Sequence, residues 1–228
     1  MLVEPDMDDA TGALDRALAG AVKARLAAGG RSGPDAEALA LRDLLDHTDT
    51  VDEAALLRAV WGRIAAESGP VLFAAGPTAH LLAADRHGLP VRTAADAEAA
   101  LVEVGRGARA LIDIEGPRPW WGKLLARPDL RIVSALPDDR HGRPRAVMVS
   151  RETSGPTGED RTFWITDSRE PDVRIADALA NVGLPAQALV SAGGLKLFML
   201  AGYVQAEDGR LIDAPGSLKG VIGAAPVF

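Results

Sequence analysis

The run Thr162-Phe163-Trp164-Ile165-Thr166, with the segments that follow it, decides how this chain is read. Five successive aromatic or β-branched residues make a strand. Asp172 to Val182 carries apolar residues at helical spacing, and Gly183 closes it. Gln187 to Ser191 and Lys196 to Val204 are again strand-like, a short helical or turn segment lies near Leu211, and Val221 to Val227 is a last strand. The order is βαββαβ, a split βαβ arrangement.

Upstream, Ser154 to Asp160 is rich in turn residues and reads as a linker. Before it the runs Val71–Ala75, Ala110–Ile114, Arg131–Leu136 and Ala146–Ser150 read as strands, and Thr93 is the expected cap of a helix through Val104, ended by Gly105. The first 70 residues read as three helices. Leu14, Leu18, Val22 and Leu26 form one stripe, ended by Gly29 and Gly30. Ser32 and Pro34 open a second helix, with apolar Leu39, Leu41, Leu44 and Leu45. Thr50-Val51-Asp52-Glu53 is a capping box for a third, whose buried face is Leu57, Val60, Trp61 and Ile64 and whose stop is Gly69-Pro70. The expected fold class is therefore α+β or α/β in three parts: a helical segment over 1–70, a small α/β lobe over 71–153, and a βαββαβ domain over 154–228.

Composition narrows the function classes. With 47 % hydrophobic and 25 % charged residues, the chain has the make-up of a globular protein. Its longest apolar runs fall far short of the roughly 20 residues a membrane span needs, so no membrane role is expected. It has no cysteine, which excludes disulfides, thiolate nucleophiles and cysteine metal sites. The acidic start, Met1 to Asp9, does not read as a secretory signal, and the expected location is the cytoplasm. The net charge is −7, so no basic surface for nucleic acid is expected. Residues 1–70 carry 7 Lys/Arg against 13 Asp/Glu and hold nearly all of that acidity. His47, His80, His87 and His141 are scattered without ligand spacing, so no metal is expected. Gly105-Arg106-Gly107 lacks the third glycine of a dinucleotide fingerprint, no nucleophile elbow or phosphate loop occurs, and no cofactor is expected.

A family resemblance covers nearly the whole chain. Pro34-Asp35-Ala36-Glu37-Ala38, Leu41-Arg42 and Leu57-Arg58-Ala59-Val60-Trp61-Gly62-Arg63-Ile64 resemble the helices of the all-helical chorismate mutases. Pro119-Trp120-Trp121 and Arg131 to Pro137 look like part of one prephenate-dehydratase lobe, and residues 161–228 look like an ACT domain. The resemblance implies a chorismate-to-prephenate isomerase of aromatic amino-acid biosynthesis with weakened or lost catalysis. Its alternative is a non-catalytic ACT-type regulator or assembly partner that binds an aromatic amino acid or pathway intermediate. In either case the implied partner is a small carboxylate, and the implied assembly is a homodimer.

Under the resemblance Arg25 and Glu37 hold the catalytic positions, since the rearrangement needs cations around two carboxylates and a donor at the ether oxygen. Arg16 and Arg42 are candidate ligand cations. In the last unit Ser168, Arg169, Ser191, Gly193 and Gly194 are candidate ligand contacts, because helix amides and an arginine suit a carboxylate. Structural roles stand beside these: Arg25 and Glu37 also suit helix-dipole ends, Arg42 a surface ion pair, and the serine–glycine turns ordinary loops. Trp120-Trp121 suits core packing, a dimer contact or a pocket wall.

Overall fold

The computed structural model describes residues 20, 33–116 and 118–228. Five helices are used below: α1 (Pro34–Leu45), α2 (Val51–Ser68), α3 (Pro77–His87), α4 (Ala97–Gly105) and α5 (Asp172–Asn181). The strands are β1 (Leu72–Ala75), β2 (Arg92–Thr93), β3 (Arg109–Asp113), β4 (Arg131–Leu136), β5 (Ala146–Ser150), β6 (Asp160–Thr166), β7 (Ala186–Ala192), β8 (Leu195–Ala201) and β9 (Lys219–Pro226). A 3-10 segment, Trp120–Ala126, links β3 to β4.

All nine strands share one mixed sheet, in the order β2-β1-β3-β5-β4-β9-β6-β8-β7. β1 runs parallel to both β2 and β3. β3, β5 and β4 are successively antiparallel, and β9, β6, β8 and β7 likewise. The two groups meet where β4 and β9 run parallel through the pair Ile132 and Gly223. This corrects the three-part fold class expected from the sequence. That expectation gave the α/β lobe and the last unit separate sheets, whereas the last strand of the chain, while paired with β6, also pairs with β4 and joins the two groups.

One sheet face buries Ala100, Leu101 and Val104 of α4 and the Trp120–Ala126 segment against Ile112, Val149, Phe163, Ile165 and Leu197. Trp120 and Trp121 are 4 % and 1 % exposed, so they pack in this core. The other face is covered in two patches. Ala79 and Ala83 of α3 lie on Leu72, Leu111, Val133 and Met148. Ile175 and Leu179 of α5 lie on Trp164, Phe198 and Leu200. No helix among the described residues is long and apolar enough to cross a membrane.

Several local expectations change. The expected helix over Leu14 to Leu26, and the expected cap Ser32, lie outside the described residues; α1 is preceded by Gly33, with no side-chain cap. The capping box at Thr50 is formed, Thr50 Oγ1 accepting from Glu53 N at 3.2 Å. Trp61 and Val60 are only half-buried. Thr93 ends β2, and Asp96 is the cap of α4, accepting from Ala99 N at 2.8 Å. Helix α3 was not foreseen; its marks are Gly76-Pro77 at the start and Gly88 at the end.

Candidate functional site

The chain leaves β1 through α3 to reach β2 on one side, then returns through α4 to β3 on the other. The two helices lie on opposite faces. The strand order therefore reverses about β1, and a crevice opens outside the carboxyl ends of β1 and β3, the place where open α/β sheets bind ligands. Here its volume is about 430 Å³.

Asp113, the last residue of β3, forms the floor. Its carboxylate accepts from Thr78 N at 3.2 Å and from Ala79 N, the first free amides of α3. This approach exists because residue 76 is glycine: a Cβ there would stand 2.3 Å from Asp113 Oδ2, and Gly76 has φ +100°. Burial raises the Asp113 carboxyl above its usual range, against the opposing pull of the two amides. The Trp120 ring nitrogen donates to the Asp113 carbonyl oxygen at 2.7 Å and sets the ring as a wall. Ala75, Pro77, Ala97 and Ile112 supply the remaining apolar surface. Asp96, Glu98 and Glu115 line the mouth with a single cation, Arg118; Glu98 also pairs with Lys123. Both helix N-termini that face the crevice are thus already met by the chain's own carboxylates.

The residues singled out from the sequence lie elsewhere. Arg16 and Arg25 are outside the described residues. Glu37 is on α1, its carboxylate 3.8 Å from Arg109. Arg42 donates to Glu159 O at 3.2 Å, Val227 O at 2.9 Å, Thr157 Oγ1 at 3.2 Å and Thr157 O, and lies over the Phe228 ring. Its guanidinium is committed to the fold.

Ser168, Arg169, Ser191, Gly193 and Gly194 do come together, around an open depression of about 630 Å³ with Asp167 and Lys196. The glycines have a structural reason to be there. With φ of +58° and +79° they form the two-residue turn between β7 and β8. Lys196 is paired with Asp172 at 2.8 Å.

The crevice residues Gly76, Asp113 and Trp120 were missed as a set. Their signal was the apolar run ending in Gly76-Pro77, followed by a second run ending in an acid.

Other chemistries find little support. Among the described residues no group of three His, Asp or Glu is arranged to hold a metal. Among the described residues two hydroxyl–carboxylate pairs occur, Ser150 with Glu152 and Thr157 with Asp160, each at 2.7 Å. Their hydroxyl residues are 2 % and 5 % exposed, so neither meets solvent as a nucleophile.

No protein-family model matches the chain, and no curated protein does. Among solved structures it is similar to a protein described as "GqqA- a novel type of quorum quenching acylases", at TM-score 0.47 and 17 % identity, over 69 % of this chain and 94 % of that one. A likeness of that size assigns no activity. The comparisons return no chorismate mutase, prephenate dehydratase or ACT protein. With the single nine-stranded sheet, this corrects the resemblance read from the sequence, the isomerase and aromatic-biosynthesis function that it implied, and the regulator alternative.

Proposed function

We propose that this protein binds a small organic amine in the crevice above β1 and β3, and does so in the cytoplasm. The observation that supports this most is the half-buried Asp113 carboxylate, fixed by the first amides of α3 at the floor of an apolar-walled crevice. A carboxylate so placed has lost much of its water, and an ammonium donor restores the interaction that burial removed. Four carboxylates line the crevice against Arg118, with Lys123 paired to Glu98 and Arg145 acting on Asp113, and the acidic excess that remains disfavours an anion at the same place. The apolar walls call for a hydrocarbon body on the amine. The cytoplasmic location fits the absence of cysteine.

The test is a thermal-shift titration with phenethylamine and its matched anion 3-phenylpropionate, on the wild type and on Asp113→Asn. Binding to the folded state raises Tm with ligand concentration. The amine is expected to raise Tm of the wild type alone, and the carboxylate to leave both proteins unchanged. A shift with the carboxylate, or an amine shift retained in full by Asp113→Asn, overturns the reading.

A further inference from the structure

Helices α1 and α2 cover the sheet beside α3, yet they bury little. Of their 12 and 18 residues, only Pro34, Ala38, Leu41, Leu57, Gly62 and Ile64 are buried. A covering helix ordinarily holds on through a broad apolar stripe. Here α2 packs closely on α3, where a Cβ on Gly62 would stand 2.1 Å from Arg86 O and His87 Nδ1 lies 3.1 Å from Gly62 O, and polar contacts supply much of the remaining attachment to the body. Glu37 reaches Arg109 at 3.8 Å, and Arg58 reaches Asp138 at 3.9 Å. Arg42 reaches the carbonyls of Thr157, Glu159 and Val227. Asp35 accepts from Gly155 N at 3.1 Å. Beneath the two helices lies a cavity of about 80 Å³ whose walls include Trp61, Arg86, His87, Arg109, Ser134 and Asp138.

The pairing on the body side is the telling feature. Arg109 makes a two-pronged contact with Glu152 at 2.6 and 2.8 Å, and Arg86 holds Asp138 at 2.8 Å. Glu37 and Arg58 are each the longer, second partner of a charge that already has a short one. When the helices leave, Arg109 and Asp138 remain paired, so no buried charge is stranded on the body, which is the usual large cost of breaking such contacts.

From this we propose that α1 and α2 form a polar-latched cover that opens as one unit while the nine-stranded sheet stays folded, with Arg42 as the principal latch. Opening turns the 80 Å³ cavity into an exposed basin floored by Arg86, Arg109, Ser134 and Met148. Units of this kind, with few apolar contacts, open below the global free energy of unfolding.

Amide hydrogen exchange on the full chain, read by mass spectrometry, tests this with Arg42→Ala and, separately, Arg58→Met. In each variant peptides from 34–68 are expected to exchange at least tenfold faster than in the wild type, while peptides from β3, β4 and β5 keep their rates. Equal acceleration of cover and sheet means that the helices are part of one cooperative fold and overturns the proposal. Unchanged exchange of 34–68 in both variants overturns it as well, since the latches then carry nothing.

Discussion

Gly223 of β9 lies so close to Ile132 of β4 that a Cβ on residue 223 would stand 2.3 Å from the Ile132 carbonyl oxygen and 2.4 Å from its nitrogen. The two residues are the register pair that joins the halves of the sheet. Next to them the β6–β9 ladder shifts register between Phe163 and Trp164. Gly223 has φ +141°, a conformation that a side chain resists. Gly223→Ala therefore meets both strain and backbone overlap. We expect a loss of about 2 kcal/mol or more, seen as a lower urea midpoint. A midpoint within error of the wild type would show that β4 and β9 can separate without consequence.

His87 makes stability depend on pH. Burial lowers its pKa to about 4; the hydrogen bond to Gly62 O at 3.1 Å opposes the shift, and Arg86 and Arg109 add to it. Glu37 and Asp138 share the cavity beside it. The folded state thus holds His87 neutral, and the unfolded chain takes up its proton first. The contribution is complete above pH 6.5 and fades as pH falls toward 4. Between pH 6.5 and 5 the wild type should lose up to about 2 kcal/mol on this account. His87→Gln, which keeps an amide donor for Gly62 O, should show a shallower slope in urea unfolding at the two pH values. Identical slopes would remove His87 as the cause.

Gly76 is the residue on which the crevice depends. A Cβ at position 76 would press on Asp113 Oδ2, Cγ and Cβ at 2.3 to 2.8 Å. Gly76→Ala should push Asp113 away from Thr78 N and Ala79 N and leave the start of α3 uncapped. Loss of such a cap costs roughly 1 kcal/mol, with φ strain added. The expected result is a lower Tm together with loss of the phenethylamine shift. A variant that keeps the full amine response would show that Asp113 need not be held by α3.

Much of the strand content was legible, because short apolar and β-branched runs declare themselves. β4 and β5 fall on the expected residues, and β6 to β9 begin or end within about three residues of them. What the runs do not carry is which strand lies beside which. The pairing of β4 with β9 spans about 90 residues; beside the Arg131 bond to Val221 O it needs a glycine at 223, a need that appears only once Ile132 is known to face it. Helix α3 was hidden because its buried residues are the alanines Ala79 and Ala83, while Leu81 is 74 % exposed. An apolar-stripe reading looks for the reverse. The crevice was missed for a related reason: Gly76 and Asp113 are 37 positions apart and meet only because β1 and β3 are neighbours. Arg42 and Glu37 were singled out in the sequence as site residues, but a guanidinium that holds carbonyls and one that awaits a ligand read alike there.

The two sheet edges differ in a way that bears on assembly. β2 is two residues long and carries Arg92, which discourages pairing. β7 is seven residues, Ala186 to Ala192, with no charge and no proline. Arg143 covers the Leu189 carbonyl at the bulge and, among the described residues, guards the edge there. An antiparallel pair of β7 strands about a two-fold axis is self-complementary, so a second copy of this chain is the partner that fits. Centred on Leu189, such a pair sets Gln187 opposite Ser191 of the other copy, and both residues are exposed. Light scattering should give a homodimer near 48 kDa, twice the 23.8 kDa of one chain. Gln187→Lys with Ser191→Lys places like charges directly opposite each other, which is destabilising for a strand pair, and should return the mass to that of a monomer. A wild type that stays near 24 kDa at micromolar concentration would show that the Leu189 bulge and Arg143 already suffice to close this edge.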